Sequence, residues 1–415
     1  ILVLTFGVVL VLTVALSGLA ARSILSTALV FLVAGAVVGP GFLGLIDVSP
    51  QSPAVSGLAD IALFTVLFVD GGRLPLPQLR AEWRLSGRAL GLGMPLSLAL
   101  VAVAAHVLVG LDWVTALLVG AILSPTDPVF ASAIVSRDEV PLRLRRILNV
   151  ESGLNDGLAL PFVLVFLALS TGGDAGIGHI AVELALGLAF GVGLPLAVTA
   201  LFRVPMLGSE PRLQPLGPLA VAVVLYGLCG LTGANSYLAA FGAGITIATV
   251  APEPSRPFEP FGQLVSELTK FAAVMVFGAL LTPRFFADLP AGAWAVALIS
   301  LLIVRPVSVL VSLWRAGLPR RERFAAAWFG PKGFASVVYG LLAVQSGVPE
   351  ARTVFQVVAL AIAVSIIAHS MTDVPVSRAF DVEELAGLPA EDENDDAGSG
   401  DGAAPPTGDP AASSP

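Results

Sequence analysis

The chain has 415 residues, of which 13% are charged and 56% apolar, and a formal net charge of -8. A soluble chain carries about a quarter charged residues, so this balance excludes an ordinary set of soluble domains and fits a protein built for a bilayer. The acidity is local: ten acids lie from Asp381 onward, past the last base Arg378, and without them 20 acids face 22 bases, a balance of +2. It therefore says nothing about a substrate, and no nucleic-acid partner is expected. The lone Cys229 lies in an apolar run and has no cysteine in the chain to pair with.

Apolar runs near the roughly 20 residues that cross about 30 Å of hydrocarbon recur along the chain. In order they predict about thirteen helical spans: 1–19, 24–46, 54–71, 89–110, 112–135, 147–170, 179–202, 217–232, 235–251, 264–281, 291–314, 324–346 and 352–374. The expected fold is an all-α polytopic membrane protein in one insertion unit over 1–380. The first run lacks both an initiator Met and a basic leader, so it reads as a truncated or processed span and not as a cleavable signal peptide. From Ala386 to Pro415 the chain is Pro, Gly, Ala, Ser and acid with almost nothing to bury, and residues 381–415 are expected to form a disordered cytoplasmic tail.

Arginines cluster in alternate loops: Arg22; Arg73, Arg80, Arg84 and Arg88; Arg137, Arg143, Arg145 and Arg146; Arg203 and Arg212; Arg256; Arg315, Arg320, Arg321 and Arg323; Arg378. Only Arg284 and Arg352 fall in the opposite set. The positive-inside rule then places the N-terminus outside and the C-terminus in the cytoplasm, in an inner (cell) membrane.

Ionisable groups within spans are costly and mark function by default. Asp70 closes the third span, Asp127 lies in the fifth, Glu151 and Asp156 in the sixth, Lys270 in the tenth, Arg305 in the eleventh and Lys332 in the twelfth. Ser152 and Asp156, at i and i+4, share one helical face and form an oxygen-rich stripe. A carboxylate with a hydroxyl suits a hard cation such as sodium, and the same carboxylate can carry a proton instead. Asn155 beside it offers no compensating charge. In the fifth span, Pro125 and Pro128 bracket Thr126 and Asp127 and remove helical hydrogen bonds in mid-membrane. The twelfth span carries a matching interruption at Phe329, Gly330, Pro331, Lys332 and Gly333, seven spans later. Corresponding breaks point to an inverted repeat, spans 1–6 against 8–13, with a site at the midplane. Asp127 and Lys332 are expected to balance the exposed helix dipoles there. Glu151 and Arg305 become tolerable as a structural ion pair. Lys270 reads as an interfacial lysine snorkelling to the membrane surface.

Taken together, Thr126-Asp127-Pro128, the run Glu151, Ser152, Asn155, Asp156, and Gly330-Pro331-Lys332-Gly333 resemble the monovalent cation:proton antiporter-1 family, the NhaP-type sodium/proton exchangers, over residues 1 to 380. The resemblance implies two broken, crossing helices. It implies that Asp156 binds the cation or proton, with Ser152 and Thr126 adding oxygens and Asp70 contributing to or orienting the sodium site. It pairs Glu151 with Arg305. Asn155 before the key Asp implies electroneutral exchange, and the family forms homodimers. Lys332 stands where the family usually has Arg, which keeps the charge but loses the planar fork. No cofactor is implied beyond the transported sodium or potassium and protons.

A potassium/proton exchanger on the same fold is the nearest alternative, and a channel or a transport-dead sensor signalling through the tail is a further one. A membrane enzyme such as an intramembrane protease finds no support: there is no Gly-x-Ser-x-Gly elbow, no His-Glu-x-x-His and only three histidines, with His106 and His179 near external span ends.

Overall fold

The computed structural model describes residues 1–20, 26–127, 140–172, 177–204, 210, 213–314 and 316–387. The helices, in chain order, are α1 (Leu2–Ala20), α2 (Thr27–Val38), α3 (Pro53–Gly72), α4 (Leu76–Arg88), α5 (Met94–Val109), α6 (Trp113–Leu123), α7 (Leu142–Ser170), α8 (Ile177–Phe202) and α9 (Leu216–Thr232). They continue with α10 (Ser236–Val250), α11 (Pro252–Leu280), α12 (Pro283–Ala287), α13 (Ala291–Ile299), α14 (Arg305–Ser312), α15 (Arg320–Trp328), α16 (Phe334–Gln345) and α17 (Ala351–Gly387). Among the described residues there is no strand. By length and composition, seven helical stretches among the described residues are long and apolar enough to cross a membrane, and six apolar helices are shorter.

The predicted spans each contain one of these apolar helices, but several boundaries differ for local reasons. The second ends at Val38 and not near 46, because Gly39 and Pro40 stop the helix although the apolar run continues. The fifth stops at Leu123, and the last part of its expected range, 128–135 with Pro128, lies outside the described residues, as do Arg22, Arg137, Arg212 and Arg315. The sixth runs unbroken through Pro161 as α7. Residues 76–88, expected as a loop, form the amphipathic helix α4. The last helix continues to Gly387, beyond the expected start of a disordered tail at 381; the rest of that tail, 388–415, lies outside the described residues.

Glycines set the closest helix contacts. A Cβ on Gly35 would collide with the carbonyl of Met275, and one on Gly278 with that of Leu32, so α2 and α11 lie backbone to backbone. Phe31 stacks on Phe271 one turn earlier, which makes the two helices parallel. The third and ninth predicted spans repeat this arrangement. Gly71 meets the Phe241 carbonyl, Gly244 meets that of Phe68, and Tyr237 donates to Asp60 at 2.6 Å toward the other end. Small residues give membrane helices this close approach, where lipid offers no hydrophobic drive. The fourth and eleventh predicted spans share another irregularity. A π-helical turn precedes a proline in each, Ala89–Gly93 before Pro95 and Ser300–Val304 before Pro306. These two spans run antiparallel, with Gly93 against Ser312 and Gly292 against Leu108.

The main core is an apolar cluster that runs through α2, α3, α5, α6, α7, α10, α11, α16 and α17, and a second, smaller cluster joins the start of α7 to α14 and α15 through Leu144, Ile147, Val309, Ala326 and Phe329. Large apolar side chains on the outside remain bare, as Val3, Leu4, Val182, Val223 and Leu231 show on α1, α8 and α9. That is the surface a lipid solvent requires and water penalises.

Candidate functional site

Two interruptions cross at the centre of the fold. After α6, residues 124–127 leave the helix, and between α15 and α16 residues 329–333 do the same. The freed backbone is satisfied across the crossing. The Asp127 N–H donates to the Pro331 carbonyl at 2.9 Å, and Ser336 on α16 donates to the Ile122 carbonyl at 2.7 Å. Gly333 lies so close to the other strand of the crossing that a Cβ there would collide with Asp127 Cβ. Gly330 is pressed in the same way against the guanidinium of Arg305. Such non-helical backbone is tolerated at membrane depth only when buried in protein or facing a cavity. Thr126, Asp127 and Lys332 are all buried.

Beside the crossing, α7 presents Glu151, Ser152, Asn155 and Asp156, all buried. Ser152 and Asp156, one turn apart, line a cavity of about 310 Å³ together with Asp70, Asp127 and Lys270. Exposed Arg73 and Glu259 also line it, so the cavity reaches the surface at their end. Thr126 and Asn155 sit one layer behind the cavity wall. The Asn155 amide donates to Thr126 Oγ1 at 2.8 Å, and the Thr126 and Ser152 hydroxyls are 3.4 Å apart. The oxygens expected to act together are therefore adjacent, but Asn155 holds Thr126 in this arrangement. Tyr339, wholly buried on α16, donates to the backbone carbonyl of Asp156 at 2.8 Å and fixes that turn of α7 against the crossing.

Charges in the site are mostly matched. Lys270 Nζ lies 3.5 Å from Asp127 and 3.9 Å from Asp70, and Arg73 lies 3.7 Å from the other oxygen of Asp70. This corrects the snorkelling expectation for Lys270: the side chain is 4% exposed and points inward, because two buried carboxylates compensate it better than a distant headgroup region. Asp127 meets a side-chain cation as well as the broken backbone. Asp156 differs. Its carboxyl oxygen Oδ1 is buried with no hydrogen-bond partner, and no ion pair reaches its side chain among the described residues. The residue is only 2% exposed, so a bare carboxylate there would pay the full cost of desolvation.

Glu151 and Arg305 form the expected pair. One guanidinium nitrogen is in close contact with Glu151 Oε1, and the other donates to Oε2 at 3.0 Å. Arg305 also reaches the Phe329 carbonyl at 3.3 Å, so it ties α7 and α14 to the second interruption. Three participants were not singled out from sequence: Tyr339, Ser365 and His369. Ser365 and His369 lie on α17, and each sits against the broken α15–α16 segment. A serine and a histidine one turn apart in the last span was the available signal.

A family model described as "Sodium/hydrogen exchanger, transmembrane" matches residues 8–379. The K(+)/H(+) antiporter NhaP of Alkalimonas amylolytica is 25% identical over 388 residues, covering 92% of this chain and 67% of its own length. The K(+)/H(+) antiporter NhaP2 of Shewanella baltica (strain OS223) is 24% identical over 384 residues, covering 89% and 65%. The chain thus spans about two thirds of the length of these relatives. The solved structure of the sodium proton antiporter MjNhaP1 from Methanocaldococcus jannaschii superposes with a TM-score of 0.74 at 17% identity, covering 93% of this chain and 99% of that one. At that identity the likeness is one of fold.

Proposed function

The chain belongs to the sodium/hydrogen exchanger family, and from that premise we propose that it exchanges a monovalent cation for a proton at Asp156 by alternating access. The observation that carries this is the unmatched carboxylate: Asp156 lines the cavity, is buried and has an oxygen without a partner, while Lys270 and Arg73 lie against Asp70 and Asp127. A buried ion without compensation costs several kcal/mol. Asp156 is therefore stable either protonated or with a cation beside it, and each displaces the other. Ser152 adds a neutral oxygen on the same face, Asp70 adds charge from across the cavity, and Thr126 lies behind Ser152 as a further oxygen. The empty carboxylate is the form least able to pass a closed apolar gate, which couples the two fluxes.

One carboxylate exchanging one proton for one monovalent cation moves no net charge, so the exchange is electroneutral. Asn155, neutral and committed to Thr126, supports this stoichiometry. Sodium is the proposed cation; potassium is the second reading, favoured by the names of the two relatives above. No enzymatic step or cofactor is invoked. The paired breaks, the paired π turns before prolines and the two parallel glycine contacts support the inverted repeat of spans 1–6 and 8–13 within an exchanger domain over 1–380. The arginine distribution supports an inner-membrane protein with the N-terminus outside and the C-terminus in the cytoplasm. The bare apolar faces of α1, α8 and α9 are where a second copy would pack in the homodimer.

The test is proton efflux from acid-loaded proteoliposomes on adding sodium or potassium, with Asp156→Asn vesicles as reference. Cation-driven alkalinisation that ignores a clamped membrane potential and vanishes in the variant is expected. Equal rates in wild type and variant would remove Asp156 from the mechanism, and silence of the wild type with both ions would favour a sensor.

A further inference from the structure

The break between α15 and α16 needs partners for its freed backbone groups, and α17 supplies them from a single face. The Lys332 N–H donates to Ser365 Oγ at 2.8 Å. One turn on, His369 is fully buried, with Nε2 at 2.9 Å from the Trp328 carbonyl that ends α15. Its Nδ1 lies 2.7 Å from the Ser365 carbonyl and 3.2 Å from the Ser365 hydroxyl. Farther along the same face, Thr372 Oγ1 accepts from the indole N–H of Trp328 at 2.9 Å. Both sides of the interruption, the last carbonyl of α15 and the amide of Lys332, are thereby held by residues 365, 369 and 372, which share one stripe of the helix.

We propose that Ser365 and His369 are positioning residues for exchange, a clamp that holds the Lys332 segment in the crossing against Asp127. The choice of side chains explains how such a clamp works beside a proton site. A carbonyl oxygen only accepts, so the contact to Trp328 is a hydrogen bond in the states of the ring whose Nε2 carries a proton. When Nδ1 also carries a proton it donates to the Ser365 carbonyl; when it does not, the Ser365 hydroxyl turns to donate to it. The Ser365 oxygen still accepts from Lys332 in either case. In these two states the contacts to Trp328 and to Lys332 are both kept. Arg305 on α14 also donates to the Phe329 carbonyl in the same segment, so the interruption is held by both α14 and α17.

The inference rests on the exchange reading for its consequence but not for its geometry, so it has two arms. In hydrogen–deuterium exchange of the purified protein, peptides spanning 329–333 should exchange about ten-fold faster in Ser365→Ala and His369→Ala, the equivalent of one lost buried hydrogen bond. In proteoliposomes, the same variants should lose about ten-fold in maximal rate while the apparent KM for sodium stays within about two-fold, because the cavity oxygens are untouched. His369→Gln, whose amide still donates toward Trp328, should restore most of both. Unchanged amide exchange in the two alanine variants would overturn the clamp, as would a loss confined to KM. A wild type that moves no cation would refute the exchange reading alone, with the amide arm still deciding the clamp.

Discussion

Removing one half of the Glu151–Arg305 pair should be far more damaging than removing both. Each residue is 5% exposed, and the guanidinium meets the carboxylate through two nitrogens. Glu151→Leu leaves Arg305 with only carbonyl contacts, at 3.3 Å to Phe329 and 3.5 Å to Ala326. An uncompensated buried charge of this kind costs about 3–5 kcal/mol. Arg305→Met strands Glu151 and also drops the bond to Phe329, adding about 1 kcal/mol. The double variant removes both charges and replaces them with apolar bulk, which is often near neutral. The coupling from the double-mutant cycle should therefore be at least about 2 kcal/mol. It is measured as unfolding free energies of the four proteins in detergent micelles titrated with denaturant. A coupling below about 0.5 kcal/mol, the range of exposed pairs, would refute the view that this pair locks α7 to the second interruption.

Gly333→Ala places a Cβ against Asp127 Cβ; proteoliposome exchange should fall at least about ten-fold even where the protein is recovered folded, since a 1 Å displacement at a site is enough for that. Lys270→Met removes the cation 3.5 Å from Asp127 and 3.9 Å from Asp70, and should lower stability by about 3–5 kcal/mol in the same denaturant titration, whereas Lys270→Met at wild-type stability would return Lys270 to an interfacial role. Asp112, which precedes the apolar helix α6 and opens the range expected for the fifth span, caps that helix by accepting from Val114 and Thr115, and Asp112→Ala should cost about 1 kcal/mol. Hydrogen bonds, led by the Thr115 side chain, hold its carboxyl below the ordinary carboxylate value of 3.8; the cap is fully present above that value and fades as pH falls through the lower folded value, so wild type and Asp112→Ala should converge in melting temperature at acid pH.

Membrane physics makes much of this fold legible from sequence. Lipid forbids unsatisfied backbone, so apolar length is read directly, and each predicted span contains an apolar helix. The breaks were legible for the same reason: prolines and glycines beside a charge in mid-span have few innocent explanations. That Ser152 and Asp156 share one face followed from helical spacing. The misread elements depend on apposition. Lys270 sits in a polar stretch next to Glu267 that resembles an interfacial helix end, and nothing local shows that Asp70 and Asp127 converge on it from two other helices. Ser365 and His369 matter only because α17 passes behind a break 33 residues earlier. The helix over 76–88 was hidden by its charge, since hydropathy marks spans and not amphipathic surface helices.

Competition at one carboxylate has a direct signature that needs no membrane. Addition of sodium or potassium to the purified, weakly buffered protein should release one proton per cation bound, and Asp156→Asn should release none while keeping its melting behaviour. Proton release of wild-type size from Asp156→Asn would contradict the account, because the proton and the cation would then reside elsewhere.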